Sequence, residues 1–199
     1  AIKSGRVAHA YVFSGPRGTG KTTAARVFAK ALNCEIKNDE PCNKCAYCTE
    51  IMDGKSVDVI EIDGASNRGI EEIRALRENA RYAPASLKYK IYIIDEAHQI
   101  TPAAFNALLK TLEEPPEHVI FILATTEINE VPSTILSRCQ RFKFRALSTV
   151  EIAAQLKDII KQEKFNVQNS AAGLIAIAAN GSLRDSLSIL DQIVSFSPK

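Results

Sequence analysis

Five short runs along the chain are almost continuously apolar: Ala10–Ser14, Val57–Ile62, Lys90–Ile94, His118–Ala124 and, more weakly, Arg141–Phe144. None alternates cleanly between apolar and polar positions. That is the pattern of strands covered on both faces, as in a parallel sheet. Between the runs the apolar positions change to helical spacing, over Gly20–Asn33, Gly69–Tyr82 and Pro102–Glu114. Strand, helix, strand in that order predicts an α/β fold with crossover helices around a parallel five-stranded sheet. Pro115-Pro116 closes the third helix, because proline has no donor and drives the preceding residue out of the helical region. After about Ala146 the character changes. Glu151–Lys164, Ser170–Ala179 and Leu183–Ser195 all carry helical spacing, and no strand run remains. The pattern predicts an α/β domain over residues 1–146 and a small all-helical domain over 147–199. There is no internal repeat and no low-complexity segment.

Composition narrows the class without choosing a function. The 199 residues are 46% hydrophobic and 24% charged, a globular balance and not a disordered one. A net charge of +2 is too small to argue for nucleic acid by itself. No apolar run approaches the ~18 residues of a membrane span, and no signal peptide opens the chain. The expectation is a cytoplasmic protein with no membrane partner. The sequence begins at Ala1 in mid-pattern, without Met, which reads as a piece of a longer protein.

The first strand leads into "SGPRGTGKTTAARVF". Gly15, Gly20, Lys21 and Thr22 fit G-x-x-x-x-G-K-[ST], between a strand and a helix. That is the context of a phosphate-binding loop. Glycines let the backbone turn tightly and aim its N–H groups at a polyphosphate, and a helix N-terminus adds donors and partial positive charge. Gly15, Pro16, Arg17, Gly18, Thr19, Gly20, Lys21, Thr22 and Thr23 are therefore the expected cradle for ATP or ADP. Lys21 would reach the β- and γ-phosphates, and Thr22 would ligate Mg²⁺. "KIYIIDEAHQI" supplies the second half. Its strand ends in Asp95-Glu96, at the edge where a parallel sheet binds ligands. Asp95 would hold Mg²⁺, directly or through water, and Glu96 would polarise the attacking water. Asp95-Glu96-Ala97-His98 also spells the motif of one helicase class, but a helicase core needs a second domain of the same kind, and a helical bundle follows here.

Four of the five cysteines, Cys34, Cys42, Cys45 and Cys48, are spaced C-x7-C-x2-C-x2-C within the first crossover. In a reducing compartment such a cluster reads as a metal site, and four thiolates suit tetrahedral Zn²⁺. With no position left open for water, the zinc would be structural, in an insertion over about 34–52; the alternatives are disulfides, an iron–sulfur cluster or redox chemistry. Cys139 stands alone and reads as a small buried apolar residue.

The order of phosphate loop, cysteine insertion, "IIDEAH", "FNALLKTLEEPPEHVIFILATTE", "ILSRCQRF" and "GSLRDSLSILDQ" resembles the AAA+ ATPases of clamp loaders over essentially the whole chain. Among them it is most similar to the tau/gamma subunits of the bacterial DNA polymerase III holoenzyme. The related delta-prime subunits can carry a zinc site but usually lack a working phosphate loop, so Gly20-Lys21-Thr22 favours the ATP-hydrolysing type. The resemblance implies a AAA+ core followed by a helical lid. It further implies that Thr126, with Thr125 as its neighbour, is the sensor 1 residue at the γ-phosphate. Arg138 would be the arginine finger that enters a neighbouring subunit's site, and Arg184 the sensor 2 residue reaching the γ-phosphate of its own chain. The implied partners are other clamp-loader subunits (delta, delta-prime and further tau/gamma copies), the sliding clamp, primed DNA and, through other regions, the polymerase core. The family carries adenine-gripping residues ahead of the segment that starts here and a collar domain after it. Arg68 and Arg74 are candidate DNA contacts. The competing class is a non-catalytic scaffold that only binds nucleotide or zinc. Glu96 speaks against it, because a scaffold can dispense with a hydrolytic carboxylate.

Overall fold

The computed structural model describes residues 7–36 and 40–196. Five strands, β1 (Ala10–Ser14), β2 (Val59–Asp63), β3 (Lys90–Asp95), β4 (Val119–Thr125) and β5 (Gln140–Lys143), form one sheet in the order β2-β3-β4-β1-β5. Every neighbouring pair is parallel. The register sets Ser14 beside Thr125 and Lys143, and Asp63 beside Asp95. The carboxyl ends of the strands are thereby level along one edge of the sheet.

β1, β3 and β4 are buried almost throughout, as their unbroken apolar runs require. The two edge strands differ. β2 is only half covered, and all four residues of β5 are exposed. Arg141 and Lys143 on β5 put charge on an open edge, which discourages pairing with another chain. One face of the sheet packs Val12, Tyr92, Ile94, Phe121 and Leu123 against Ile73 and Leu76 of α3 (Ile70–Ala80) and Phe105, Leu108 and Leu112 of α4 (Pro102–Glu113). On this face Tyr92 and Phe121 stack with centroids 5.4 Å apart. The opposite face takes α1 (Lys21–Asn33), whose Phe28 meets Tyr11 edge-on at 4.8 Å. Small residues, Ala25 and Ala29, let that helix lie close.

Helix ends follow their local chemistry. Thr101 caps α4 by accepting the Ala104 N–H, with Pro102 at the first helical position, where its missing donor is harmless. Ser148 and Glu151 form a reciprocal capping box at the start of α6 (Thr149–Gln162). The helical segment α6, α7 (Asn169–Ala178) and α8 (Leu183–Phe196) has its own core of Ile152, Leu156, Ile160, Ala172, Ile175, Ala176 and Leu190.

Periodicity leaves two short helices unseen: α2 (Ala46–Met52), inside the cysteine insertion, and α5 (Ser133–Leu136), ahead of β5. Both are too short to show a period. The chain resolves into two compact units. One comprises the residues through Ser14 together with Lys21–Lys143. The other comprises Gly15–Gly20 and the residues from Phe144 onward. Among the described residues no helix is long and apolar enough to cross a membrane.

Candidate functional site

Within the sheet unit, the carboxyl edge gathers the polar residues of the site. Thr22, in the first turn of α1, donates its hydroxyl to Asp95 Oδ2 at 2.7 Å. Asp95 Oδ1 accepts the Glu96 N–H at 2.9 Å, which fixes the carboxylate at the strand end. Lys21 is buried. Burial lowers its pKa, opposed by the charges of Glu96 and Asp95. A hydroxyl, a carboxylate and a lysine brought together in this way are the donor set for a Mg²⁺–polyphosphate. Asp95 with Thr22 fits the ion, because both offer hard oxygen ligands.

Glu96 adopts a left-handed backbone, φ 45 and ψ 45, an uncommon conformation for a residue other than glycine that often marks a functional position. Its Oε2 accepts from Thr126 Oγ1 at 3.4 Å and lies 3.5 Å from His98 Nδ1. The same His98 nitrogen stands 3.1 Å from the hydroxyl of fully buried Thr125. Thr125 Oγ1 in turn accepts the Glu127 N–H at 3.0 Å. Thr125 thus holds the loop after β4, and Thr126 is the one facing Glu96. Gly64, at the end of β2, donates its N–H to Asp95 O, and a Cβ there would stand 2.8 Å from Asp95 O and Glu96 O. Only glycine allows that approach.

In the helical unit, Gly15–Gly20 lies against the start of α8. Gly18 O accepts the Leu183 N–H at 3.0 Å. Gly18 has φ 72, and a Cβ on it would collide with Ser182 Oγ and approach Arg184 Cβ to 3.3 Å. Gly15, φ 151, leaves no room for a Cβ beside Phe144 O. Thr19 Oγ1 closes the turn on Pro16 O at 2.8 Å, while Pro16 and Arg17 are exposed. Arg184 therefore stands next to the glycine loop, although 166 positions separate it from Gly18.

Arg138, in the sheet unit, is held by local partners. Its Nη2 meets Glu113 Oε1 at 2.7 Å and its Nη1 donates to Thr134 O at 2.7 Å. Glu113 opens the Glu113-Glu114-Pro115-Pro116 stretch, so this pair joins that stretch to Ser137-Arg138-Cys139. Arg74 pairs with Glu71 at 2.7 Å on the exposed face of α3, and Arg68 O accepts the Thr101 N–H.

The model for the family described as DNA polymerase III, delta subunit matches residues 1–148, and that for the DNA polymerase III clamp loader subunit, ATPase lid domain, matches 151–199. The chain belongs to the DNA polymerase III clamp-loader subunit family. DNA polymerase III subunit tau of Bacillus subtilis is 55% identical over 99% of this chain, and that of Escherichia coli 52% over 98%. Subunit gamma of Buchnera aphidicola is 48% identical over 97%. The chain spans 35% and 30% of the two tau proteins and 53% of the gamma protein. Among solved structures, RuvB of Thermotoga maritima superposes with a TM-score of 0.65 at 20% identity, covering 94% of this chain and 55% of RuvB. A DNA polymerase III gamma subunit-related protein of the same organism gives 0.53 at 21%, covering 96% and 59%. The fold is the AAA+ P-loop core with a helical lid.

The clamp-loader insertion brings its four cysteines together. Their sulfurs lie within 4.8 Å of one another, with Cys42 Sγ and Cys48 Sγ 4.0 Å apart, and no disulfide joins them. Cys42 Sγ accepts N–H groups from Lys44 and Cys45, and Cys45 Sγ accepts that of Cys48. The two N–H donors draw the Cys42 thiol down to about 6, toward the thiolate a metal needs, whereas burial pushes Cys48 up to about 12. Four converging sulfurs and a turn of N–H···S bonds fit tetrahedral Zn²⁺. Cys139 packs against the sheet core, where burial raises its thiol to about 11. Periodicity and motif spacing missed His98 as a link between Glu96 and Thr125, Gly64 and Glu113. For His98 the signal was present in the letters after Asp95-Glu96. For Glu113 and Gly64 only the folded chain shows the partner.

Proposed function

We propose that this chain is the ATP-hydrolysing part of a clamp-loader subunit, an α/β nucleotide-binding domain over residues 1–146 and a helical lid over 147–199. The observation that carries the proposal is the Thr22–Asp95 hydrogen bond next to Glu96 and Lys21. A scaffold has no need of a carboxylate there in a strained backbone.

In this reading the backbone N–H groups of Gly15, Arg17, Gly18, Thr19 and Gly20, on the turn that Pro16 helps shape, hold the phosphates of ATP together with Lys21 and Thr23. Thr22 and Asp95 hold Mg²⁺, which when bound neutralises charge on the β- and γ-oxygens. Glu96 accepts a proton from a water as that water's oxygen bonds the γ-phosphorus and the bond to the bridging oxygen of ADP breaks. Thr126 orients Glu96 and the water, and His98 with Thr125 fixes the rear of Glu96. Arg184 reaches the γ-phosphate from the lid. Arg138, already displayed by Glu113 and Thr134, serves a neighbouring subunit. Cys34, Cys42, Cys45 and Cys48 hold a structural zinc. The partners in this reading are delta, delta-prime and further tau/gamma subunits, the sliding clamp and primed DNA, and the setting is the cytoplasm.

The test is phosphate release by the full-length protein with its partner subunits and primed DNA, alongside binding of a fluorescent ATP analogue. Lys21→Ala removes the cation opposite the phosphates and abolishes binding. Glu96→Gln keeps binding and lowers turnover by ~10²–10⁴-fold. Turnover in Glu96→Gln equal to wild type overturns the hydrolytic reading.

A further inference from the structure

The last turn of α1 buries a lysine. Lys30 retains 2% of its exposure. Its ammonium donates to Asn43 Oδ1 at 2.7 Å, and Met52 Sδ stands 4.0 Å away. No carboxylate among the described residues is ion-paired with it. A buried ammonium facing only a neutral amide and a thioether is strongly unfavourable. The negative end of α1 offsets part of this, and Lys30 lies in that last turn. Something anionic nearby must supply the rest.

The two groups Lys30 touches identify it. Asn43 is the residue after Cys42 in the turn to Cys45, and it takes the left-handed φ of 57 that this tight turn requires. Met52 ends α2, the helix that carries Cys48. Among the described residues Lys30 therefore makes its polar contacts to both walls of the cysteine cluster alone. Four thiolates outnumber the two positive charges of Zn²⁺, so a tetrathiolate centre is an anion. In a poorly solvated setting the attraction between such a centre and an ammonium is much stronger than in water.

We propose that Lys30 is the counter-ion of the metal centre, held in place by Asn43, and that this contact fastens the cysteine module to α1, the helix whose first turn carries Lys21 and Thr22. The inference rests on the cluster holding zinc. Outer partners of this kind set metal affinity by about 10–100-fold. The relation is reciprocal: the metal centre stabilises the buried lysine as much as the lysine stabilises the centre.

Zinc affinity of the full-length protein, read by competition with a chromogenic chelator, tests it together with melting temperatures of the zinc-loaded and metal-free forms. Lys30→Met is expected to lose ~10–100-fold in zinc affinity, Lys30→Arg to lose much less, and Asn43→Ala to weaken binding by freeing the ammonium. The melting temperatures should move in opposite directions: Lys30→Met lowers that of the loaded protein and raises that of the metal-free protein, in which the lysine has lost its anion. A purely packing role lowers both. Unchanged affinity in Lys30→Met, or equal losses with and without zinc, overturns the proposal. A wild-type protein that takes up no zinc overturns the zinc reading itself, and the counter-ion role with it.

Discussion

His98 lies between Glu96 and Thr125, with one nitrogen 3.5 Å from the carboxylate and 3.1 Å from the buried hydroxyl. Nδ1 can give its proton to either oxygen or accept from Thr125, so the ring ties the end of β3 to the end of β4. Glu96 already holds a left-handed backbone, and a carboxylate in a strained position drifts once its neighbours are removed. His98→Ala is expected to cut turnover by on the order of 10–100-fold, the usual consequence of a misplaced catalytic group, with ATP affinity nearly unchanged. His98→Gln, which can still reach one of the two oxygens, should recover part of the rate. Steady-state phosphate release over a range of ATP concentrations separates kcat from KM, and a loss confined to KM would place His98 in substrate binding instead.

Two contacts between elements make distinct predictions. Asp58, just ahead of β2, is 1% exposed. Its carboxylate accepts N–H groups from Ala85, Ser86 and Leu87, at 2.8, 2.8 and 3.0 Å, and the Ser86 hydroxyl. Burial raises its pKa, but these donors together outweigh burial and leave it lowered. A group with a lowered folded pKa stabilises the fold above its unfolded value, ~3.9, and that contribution disappears as pH falls through the folded value. Asp58→Ala leaves the buried Leu87 N–H without its partner and frees the partly buried N–H groups of Ala85 and Ser86. It should lose about 3 kcal/mol at pH 7 and show a shallower fall in stability below about pH 4. Chemical denaturation at several pH values reads both. The Glu113–Arg138 pair is the opposite case. Its side chains are 49% and 34% exposed, so Glu113→Gln should change stability by no more than ~0.5 kcal/mol. Its effect belongs to the presentation of Arg138. Arg138→Ala should leave turnover of the dilute, unassembled protein untouched and lower that of the assembled complex by ~10³–10⁵-fold. Glu113→Gln should produce a smaller loss in the same assay, and loss of turnover in both states would assign Arg138 to its own chain's site.

At the scale of the whole molecule, the glycine loop is fastened to the helical segment by Gly18 O and the Leu183 N–H. Gly18→Ala puts a methyl group where Ser182 Oγ stands, on a backbone of φ 72. The sheet and its core do not involve that position. The variant should fold with melting behaviour close to wild type and bind the ATP analogue at least ~10-fold more weakly, because loop and lid must shift to admit the side chain. Isothermal titration checks it, and unimpaired binding would show that the loop tolerates displacement from α8.

Sequence by itself determined the strands and the longer helices and marked the residues proposed to carry the chemistry. The unbroken apolar runs place all five strands to within a few residues, and the switch to helical spacing after Ala146 marks the α6–α8 segment. Gly15–Thr22, Asp95-Glu96 and the four cysteines announce themselves because each is a local pattern, and local geometry is what such patterns encode. The terms that stayed illegible are non-local. Nothing in the spacing of residues 113 and 138, 58 and 85–87, 30 and 43, or 18 and 182 says that these positions meet. Helices of seven and four residues are too short to carry a period. The strand order β2-β3-β4-β1-β5 brings the ends of β3 and β4 side by side, and only then do His98 and Thr125 share a proton position and Gly64 press on the Asp95–Glu96 peptide. Tertiary structure decided these contacts because each depends on the register and packing of elements far apart in the chain.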